Sequence, residues 1–559
     1  MDKPWFQHYD SHVPHTIDYP DITLDQALTN STLKSPDAVA TIIKGGKLTY
    51  TQLDAQVDRL AAALQQLGVK KGDRVAIHLP NSPQFVIGYY AALRIGAIAV
   101  PCNSTYVARE LEYQLNDSGA ETLITFSAFY EMVKSIRAQT PLKRVIVAKI
   151  QSYFPSLLKI IFTLLLEKKR GYYADISGDA QTYWFQDVLK SAPAKPTPVQ
   201  KALDDTAVLM YTGGTTGVSK GAQLSHRNLV CNTLQCSHWL NTINRPPKML
   251  TALPLYHSYA MTSCMNHAIY TGGSMILVPN PRDLKDVLET IDKFKPTIYP
   301  GVPAMYVAIN NSPDVAAGKY DVSSIEACMS GAAGLPGEVQ ERFQKITGAS
   351  LVEGYGLSEA SPVTHVNPVF DGNNRIGYIG LPLPDTDARI VDVETGEQEL
   401  APGEVGELCI RGPQVMKGYW NMPTETENML RNGWLYTGDI VVMTKDGFFQ
   451  IQDRKKDMIL GAGGYNVYPR EIEEVLYQHP KVKEVVAAGI QVEERGERPK
   501  VWIVLKEGET ATEEEILAFC EENLAPYKRP RFVEFRDDLP KTMVGKVLRR
   551  ELIRQEIEK

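Results

Sequence analysis

The stretch Tyr211–Ala222 has the sequence YTGGTTGVSKGA and decides how the rest of the chain is interpreted. It follows an apolar run, Ala207–Met210, that is typical of a buried strand, and it precedes a predicted helix with Ser225 as its N-cap. The glycines let the backbone approach a ligand closely, the hydroxyl groups can bind phosphate oxygens, and Lys220 matches their charge. The order differs from the Walker pattern, in which Gly-Lys-Ser/Thr follows four spacer residues. We therefore predict a phosphate-binding loop, and the alternative is a flexible Gly/Thr turn.

This loop resembles the signature of the adenylate-forming superfamily, whose members use ATP to convert a carboxylate into an acyl-adenylate. The family pattern is Ser/Thr-Ser/Gly-Gly-Thr-Thr-Gly-x-x-Lys-Gly, and every fixed position is present here. The resemblance implies that the loop binds ATP through Thr212, Gly213, Gly214, Thr215, Thr216, Gly217 and Lys220.

The overall composition is that of an ordinary globular protein. The 559 residues are 43% hydrophobic and 22% charged, and a chain of this length should form more than one domain. The net charge of -7 argues against nucleic acid as the main partner, which usually requires a basic surface. The seven cysteines include no Cys-x-x-Cys pair, which argues against structural zinc and favours a reducing compartment.

The ends of the chain predict a cytoplasmic location. Met1–Trp5 lacks an apolar signal core, and the C-terminus is charged. No apolar segment reaches the ~20 residues that a membrane-spanning helix needs.

The order of helices and strands predicts an α/β fold combined with α+β parts. Helical and strand patterns alternate over Thr49–Val100, which indicates a parallel sheet covered by helices. Short alternating runs separated by Gly turns predict a small antiparallel β-barrel at about 385–450. We therefore expect an N-terminal domain over 1–455, with two layered α/β subdomains and the barrel, followed by a small, mobile α+β domain over 456–559.

The segment 153–170 interrupts the alternation of helical and strand patterns. As a helix it is apolar nearly all round, with only Lys159, Thr163 and Glu167 forming a polar stripe, and basic residues follow it. Such a helix is either buried, for example as a roof over a substrate, or lies in a membrane interface. Bacterial long-chain fatty acid–CoA ligases carry a similar insertion here, so the resemblance favours a lipid role without choosing between the two.

Two further motifs extend the resemblance. The sequence LPLYH at Leu253–His257 resembles the acyl-site motif of the family, which places His257 and Tyr256 at the acyl pocket; a packed histidine is the alternative. The sequence CMSGAA at Cys328–Ala333 resembles the segment that lines adenine, which implies that Gly331 and Ala332 contact ATP.

The heptad EGYGLSE at Glu353–Glu359 is the more specific motif. Tyr355 can stack on adenine, and Glu359 is an oxygen ligand suited to Mg²⁺, although a solvent-facing glutamate is the alternative. The resemblance adds Thr212 as a second metal ligand and Gly356 as an acyl-site residue. The ATP-binding residues that it implies in this heptad are Glu353, Gly354, Tyr355, Gly356, Leu357 and Ser358.

The remaining motifs lie after residue 435. By resemblance, Asp439 accepts hydrogen bonds from the ribose, and Arg454 lies near the sugar or the phosphates. Lys456 is the implied hinge, and hinge residues typically lie at the ends of elements. The loop Gly463-Gly464-Tyr465 matches the segment that binds CoA.

Lys546, within PKTMVGK, resembles the lysine that reaches the carboxylate and the α-phosphate during adenylation. The catalytic residues implied are therefore Lys546, Glu359 and Lys220, with ATP and CoA as co-substrates and Mg²⁺ as cofactor. We expect a fatty acid–CoA ligase, closest to the bacterial long-chain enzymes; the family includes homodimers. The alternatives are a ligase for medium-chain or aryl acids or for another acceptor, and a fatty-acid binding or uptake protein at the membrane.

Overall fold

The computed structural model describes residues 3–212, 219–455, 457–460, 466–492, 496–526, 528–541 and 547–558. The contacts divide the chain into two compact units. The larger unit comprises Phe6–Asp387 and Arg411–Gly433, and the smaller one comprises Met1–Trp5, Ala388–Ile410 and Trp434–Lys559. The strands at 388–410 and 434–454 thus group with the C-terminal part, while the predicted boundary at 455/456 stays a prediction.

Strands and helices alternate over Thr49–Val100, as predicted, and both kinds of element continue to residue 382. The strands are β1 (Val39–Ile43), β2 (Gly46–Thr49), β3 (Arg74–His78), β4 (Ile98–Pro101), β5 (Thr122–Phe126), β6 (Arg144–Ala148), β7 (Thr182–Trp184), β8 (Thr206–Thr212), β9 (Lys220–Ser225), β10 (Lys248–Thr251), β11 (Ser274–Leu277), β12 (Ala327–Ser330), β13 (Ser350–Gly356), β14 (Val363–Val366) and β15 (Leu381–Pro382). The helices are α1 (Leu24–Lys34), α2 (Tyr50–Gln66), α3 (Pro83–Arg94), α4 (Ala108–Ser118), α5 (Tyr130–Ile136), α6 (Ser156–Ile161), α7 (Phe185–Ser191), α8 (His226–Trp239), α9 (Ser258–Ala260), α10 (His267–Thr271), α11 (Leu284–Phe294), α12 (Pro303–Asn310), α13 (Pro313–Ala316) and α14 (Gly337–Thr347).

Two sheets organise the larger unit. The first has the strand order β7-β6-β5-β3-β4-β8-β9 and is parallel except for the final β8–β9 pair. The second is built from β10-β11-β1-β2 and β12-β13-β14-β15, which bridges at Ile298 connect. Two layered α/β subdomains are therefore confirmed.

Several helices begin or end where the local sequence predicts it. The side chain of Ser225 accepts a hydrogen bond from the backbone N–H of Asn228, so it is the predicted N-cap of α8. Helix α2 ends at Gln66, two residues before Gly68, which has a φ of +86°.

The later elements are shorter and mostly antiparallel. They are β16 (Asp387–Val391), β17 (Val405–Arg411), α15 (Pro423–Met429), β18 (Leu430–Arg431), β19 (Trp434–Met443), β20 (Phe449–Arg454), β21 (Ile459–Leu460), β22 (Asn466–Val467), α16 (Pro469–Tyr477), β23 (Val482–Val492), β24 (Gly496–Leu505), α17 (Glu513–Asn523), β25 (Phe532–Phe535) and α18 (Arg549–Ile557). Strands β17, β19 and β20 pair antiparallel within the region predicted as a barrel. Helices α16 and α17 pack on the sheet β23-β24-β25, which gives the expected α+β unit.

The segment 153–170 folds as α6 followed by a π-helical turn over Phe162–Leu166. The ring of Phe162 is buried between Phe154 and Tyr172, at centroid distances of 5.6 and 5.7 Å. The other large apolar side chains are mostly exposed: Leu157, Ile160, Ile161, Leu164 and Leu165. The buried alternative is therefore wrong for these five residues. In the described part of the chain, no helix has the length and apolarity required to cross a bilayer.

Candidate active site

The two predicted adenine-lining segments lie side by side because they follow neighbouring parallel strands. Ser330, at the end of β12, is paired with Glu353 of β13, so Gly331 and Ala332 emerge next to the EGYGLSE motif. Ala332 has a φ of +68°, in the left-handed region. This edge, where parallel strands end, is where α/β proteins commonly bind ligands.

Glu353 and Tyr355 have partners within the same sheet. The buried carboxylate of Glu353 accepts a hydrogen bond of 3.2 Å from the backbone N–H of Leu335, and this bond fastens the segment after Ala332 to β13. The half-buried ring of Tyr355 lies edge-on to His365 at 5.9 Å. Burial lowers the pKa of His365 to about 3, so the imidazole beside Tyr355 is neutral at physiological pH.

The turn after Tyr355 requires glycine at position 356. A Cβ on Gly356 would lie 2.1 Å from the carbonyl oxygen of Pro362, a distance that no side chain tolerates. The backbone N–H of Leu357 donates a 3.0 Å hydrogen bond to the same carbonyl, which closes the turn. The next three residues, Ser358–Ala360, form a 3₁₀ helix that contacts β8 and β9 and carries Glu359.

Glu359 is buried and held from two sides. Its carboxylate accepts a 2.6 Å hydrogen bond from the hydroxyl of Tyr419, and its backbone carbonyl accepts one of 2.7 Å from Met416. Burial, and next the charge of Glu359, raises the pKa of Tyr419 well above its usual range. The hydroxyl therefore stays protonated and acts as the donor. The alternative of a solvent-facing Glu359 is wrong, because only 9% of its surface is exposed.

Tyr419 lies in this position because its segment, residues 417–420, pairs with β9. Backbone hydrogen bonds join Lys417 and Trp420 to the strand, and Ala222 and Tyr419 form an antiparallel bridge. Lys220, at the start of β9, lies opposite Thr212 of β8.

The Nζ atom of Lys220 forms an ion pair with Glu425 and lies 5.3 Å from the ring centroid of Tyr419. A carboxylate, a phenol and a lysine therefore meet at the end of the predicted phosphate loop. This arrangement can hold a cation at Glu359 and an anion at Lys220.

The predicted acyl-site motif contacts the same region. The ring of His257 accepts a 3.3 Å hydrogen bond from the backbone N–H of Tyr259 and thereby caps α9. Ser258 and Ser358 lie in hydrogen-bond contact through their hydroxyl groups, 3.0 Å apart. Tyr256 is half-buried, and burial raises the pKa of its hydroxyl. The acyl and adenylate motifs are thus adjacent in the fold.

In the smaller unit, Asp439 and Arg454 are cross-strand partners on β19 and β20. The carboxylate of Asp439 is buried and lies 3.1 Å from Nε of Arg454, which fixes its orientation. The adjacent Lys455 pairs with Glu407 at 2.9 Å. Ribose binding by Asp439 and Arg454 stays a prediction.

Several predicted site residues lie outside the described residues. They are Gly213, Gly214, Thr215, Thr216, Gly217, Lys456, Gly463, Gly464, Tyr465 and Lys546. Conversely, the sequence interpretation missed Tyr419 and Glu425, which contact Glu359 and Lys220. No local pattern marks them, because their positions depend on pairing with β9, about 200 residues earlier in the chain.

Mg²⁺ is compatible with these side chains. Among the described residues, no group of three or more His, Cys, Asp and Glu side chains is arranged as a metal site. Magnesium, however, is usually held by one or two carboxylates together with substrate phosphates. The buried carboxylate of Glu359, next to the phosphate loop, fits that requirement.

Comparisons with known proteins agree with this fold. The family model described as "AMP-binding enzyme" matches residues 28–420, and the model described as "AMP-binding enzyme C-terminal domain" matches residues 471–546. The chain belongs to the AMP-binding enzyme family, which is the adenylate-forming superfamily that the phosphate loop resembles.

Individual proteins that match this chain over nearly their full length give more specific information than the family models. The chain is 45% identical to the long-chain-fatty-acid–CoA ligase of Bacillus subtilis strain 168, over 100% of this chain and 98% of that protein. It is 40% identical to the long-chain-fatty-acid–CoA ligase of Escherichia coli O157:H7, over 99% and 98% of the two chains. The crystal structure of ATP-bound MatB from Rhodopseudomonas palustris is 29% identical, with a TM-score of 0.83 over 96% of this chain and 100% of MatB.

Proposed function

We propose that this protein is an ATP-dependent long-chain fatty acid–CoA ligase, which forms acyl-CoA, AMP and pyrophosphate through an acyl-adenylate. The observation that carries the proposal is the full-length similarity to two proteins named for this activity, at 45% and 40% identity. The adjacent acyl and adenylate motifs, joined by the contact of Ser258 with Ser358, support it further.

In the first half-reaction, a carboxylate oxygen of the fatty acid bonds to the α-phosphorus of ATP, and pyrophosphate leaves. Both reactants are anions, so cationic groups must offset their repulsion. We assign this role to Lys220 and Lys546. Glu359 and Thr212 would hold Mg²⁺, which would neutralise phosphate charge when bound. The hydrogen bond from Tyr419 orients the Glu359 carboxylate for this purpose.

In the second half-reaction, the CoA thiolate attacks the carbonyl carbon of the acyl-adenylate, the bond to the phosphate oxygen breaks, and AMP leaves. The proposal includes a rotation of the C-terminal domain about Lys456, which withdraws Lys546 and presents Gly464 to CoA. Hinge motions of this kind commonly assemble a second catalytic arrangement at one site.

We also propose that the apolar face of the segment 156–166 contacts the cytoplasmic membrane surface. Its exposed residues recur at positions 157, 160, 161, 164 and 165, the spacing of one helix face. The cations that follow, Lys168, Lys169 and Arg170, are exposed and suited to anionic headgroups. The proposal is a peripheral contact, which brings the enzyme to its water-insoluble substrate.

The decisive experiment measures thioester and AMP formation from ATP, CoA and Mg²⁺ over acids from acetate to oleate, with benzoates included. We expect the highest kcat/KM among the long chains. A maximum with benzoates or medium chains would reject the substrate class, adenylate without thioester would reject CoA as acceptor, and no turnover would favour a binding protein.

Liposome flotation tests the membrane contact separately. A Leu164→Gln/Leu165→Gln variant changes only exposed positions and should fold normally, but it should float less than the parent protein with anionic liposomes. Equal flotation of the two proteins would exclude this face as the contact.

A further inference from the structure

The two strands on either side of the predicted phosphate loop are joined by the side chain of Ser219. Its hydroxyl donates a 2.6 Å hydrogen bond to the backbone carbonyl of Thr212, which lies 7 positions earlier in the chain. Thr212 is the last residue of β8, and Lys220, which follows Ser219, is the first residue of β9. The bond therefore fixes the separation between the two ends of the stretch 213–218, which itself lies outside the described residues.

Ser219 is held in turn by helix α4. The phenol of Tyr113 donates a 2.9 Å hydrogen bond to the backbone carbonyl of Ser219, and the phenol of Tyr106, just before the helix, is a hydrogen-bond partner of its side chain. One turn further along α4, the carboxylate of Asp117 accepts a 2.6 Å hydrogen bond from Tyr211 of β8. Helix α4 thus holds both the end of β8 and the residue before β9.

The same contacts fix the register of the two strands. Thr212 is paired with Lys220, and Tyr211 is paired with Gly221. The ring of Tyr211 covers this glycine so closely that a Cβ on Gly221 would lie 3.1 Å from it. Burial, and next the hydrogen bond to Asp117, raises the pKa of Tyr211 well above its usual range, so the phenol stays protonated and acts as the donor. The predicted metal ligand Thr212 and the predicted phosphate-binding lysine therefore belong to one cross-strand pair of fixed register.

A fixed separation of these two positions matters because both are assigned to the same triphosphate. Groups that are already in place when a charged substrate arrives cost little reorganisation. The stretch between them has the sequence GGTTGV, and glycine loses more conformational freedom on ordering than any other residue. A hydrogen bond that joins the ends of such a stretch lowers the entropy cost of ordering it around a ligand.

We propose that Ser219 is a positioning residue for the adenylation step: its hydroxyl, together with the bond from Tyr113, holds Thr212 and Lys220 in register for the triphosphate of ATP. Ser219 acts through these two neighbours and not by contact with the reacting atoms. This inference rests on the proposed function and adds to it a residue to which that proposal gives no role.

The test compares the full-length parent protein with Ser219→Ala in ATP–pyrophosphate exchange supported by palmitate. We expect kcat/KM for ATP to fall about tenfold while the KM for palmitate stays within about twofold, because the lost hydrogen bond orients only the phosphate-binding positions. Ser219→Thr keeps the hydroxyl and should recover kcat/KM to within about threefold of the parent. Tyr113→Phe should also lower kcat/KM for ATP, and the double variant should lose less than the product of the two single losses, because both changes act on one contact.

Ser274→Ala is the matched control. The hydroxyl of Ser274, half-buried like that of Ser219, donates a 2.5 Å hydrogen bond to the backbone carbonyl of Val39. This bond joins the first residues of β11 and β1, at the edge of the second sheet where its parallel strands begin, opposite the adenine-lining segments. Ser274→Ala should leave kcat/KM for ATP within about twofold of the parent value.

The second half-reaction and the control separate positioning from support of the fold. Thioester formation from supplied acyl-adenylate uses no triphosphate and should be unchanged in Ser219→Ala. An unchanged kcat/KM for ATP in this variant, or no recovery in Ser219→Thr, would overturn the positioning role. Equal losses in both half-reactions, or an equal loss in Ser274→Ala, would show that the hydrogen bond only supports the fold.

Binding of Mg-ATP without any acid, measured by calorimetry, separates this inference from the proposed function. Weaker binding by Ser219→Ala than by the parent supports the positioning role even if the parent converts no acid, in which case the ligase proposal alone fails. Equal binding by the two proteins, with a parent that is an active ligase, rejects the positioning role alone.

Discussion

The hydroxyl of Tyr419 donates a 2.6 Å hydrogen bond to the carboxylate of Glu359, although the two residues are 60 positions apart in the chain. The contact exists because residues 417–420 pair with β9, the strand that carries Lys220. The segment 417–420 thus carries the tyrosine that orients Glu359, the predicted metal ligand, and whose ring lies against Lys220, the predicted phosphate-binding lysine. Preorganised side chains of this kind cost little reorganisation when a charged substrate arrives.

Replacing Tyr419 by Phe removes this hydrogen bond and keeps the ring. We expect kcat/KM for ATP to fall about tenfold and the Mg²⁺ concentration for half-maximal rate to rise, because Glu359 loses its orienting donor. Magnesium titrations of the steady-state rate measure both effects. Tyr50→Phe, which removes a buried hydroxyl bonded to Ala268 and Gly273, is the control and should leave the magnesium dependence unchanged.

If Lys220 binds ATP as proposed, Glu425 competes with ATP for it, because the two side chains form an ion pair. Glu425→Gln should lower the KM for ATP about two- to fivefold with little change in kcat; the effect is modest because Glu425 is 44% exposed. The control is Glu427→Gln, two residues further along the same helix and also exposed. A higher KM in Glu425→Gln would mean that this carboxylate assists ATP binding instead.

The sequence predicts best those features that depend on neighbouring residues. The N-cap at Ser225, the end of α2 near Gly68 and the alternation of strands and helices follow from local patterns, and all are present. The pairing of Tyr419 with β9 is a contact between distant segments, and no periodicity encodes it.

The segment 156–166 shows a second limit of sequence interpretation. Its pattern identifies a polar stripe containing Lys159 and Thr163, but a pattern alone does not say which side faces the protein. The usual rule places the apolar side inward. Here Lys159 and Thr163 line a cavity, while Phe162 and Glu167 are buried and the large apolar side chains at 157, 160, 161, 164 and 165 are exposed.

Gly356 should tolerate no side chain. In Gly356→Ala the new Cβ would meet the carbonyl oxygen of Pro362 at 2.1 Å, and both groups are backbone-bound, so the turn before Glu359 must move. We expect activity to fall at least about 100-fold, as measured by pyrophosphate exchange. Gly354→Ala is the matched control, because its Cβ would meet the flexible side chain of Met329 at 3.0 Å and should cost far less. Similar losses in both variants would refute the steric argument.

The stability of the protein should fall in mild acid partly because of His365. Burial lowers its pKa to about 3, from an unfolded value near 6.5. Because the pKa of His365 is lower in the folded state than in the unfolded state, its contribution to the free energy of unfolding is fully present above pH 6.5 and is lost as the pH falls towards 3. Between pH 7 and pH 5, the melting temperature of His365→Gln should therefore fall less than that of the parent protein. The exposed His15→Gln serves as the control, and equal slopes in the parent and His365→Gln would contradict the assignment.

Arg549 ties together the two sides of the proposed hinge. Its guanidinium lies 3.5 Å from Asp453 and 3.2 Å from Asp457, which flank Lys456, and 2.6 Å from Glu473 of α16. If the chain rotates about Lys456 as proposed, the separation of Asp453 and Asp457 would change, and this cluster would stabilise one of the two conformations. Removing Arg549 itself would leave the buried carboxylate of Asp453 without its ion pair and cost about 3–5 kcal/mol, so an effect on folding could be mistaken for an effect on function.

Asp457→Asn is the better probe, because it removes one partner and leaves Asp453 and Glu473 to hold the guanidinium. We expect the ratio of the two half-reaction rates to change about threefold or more, since the balance between hinge conformations shifts. Pyrophosphate exchange measures adenylation, and thioester formation from supplied acyl-adenylate measures the second step. Glu551→Gln, which breaks the surface ion pair with Arg554, should leave the ratio unchanged. If Asp457→Asn slows both half-reactions equally, the cluster supports the fold and does not bias the hinge.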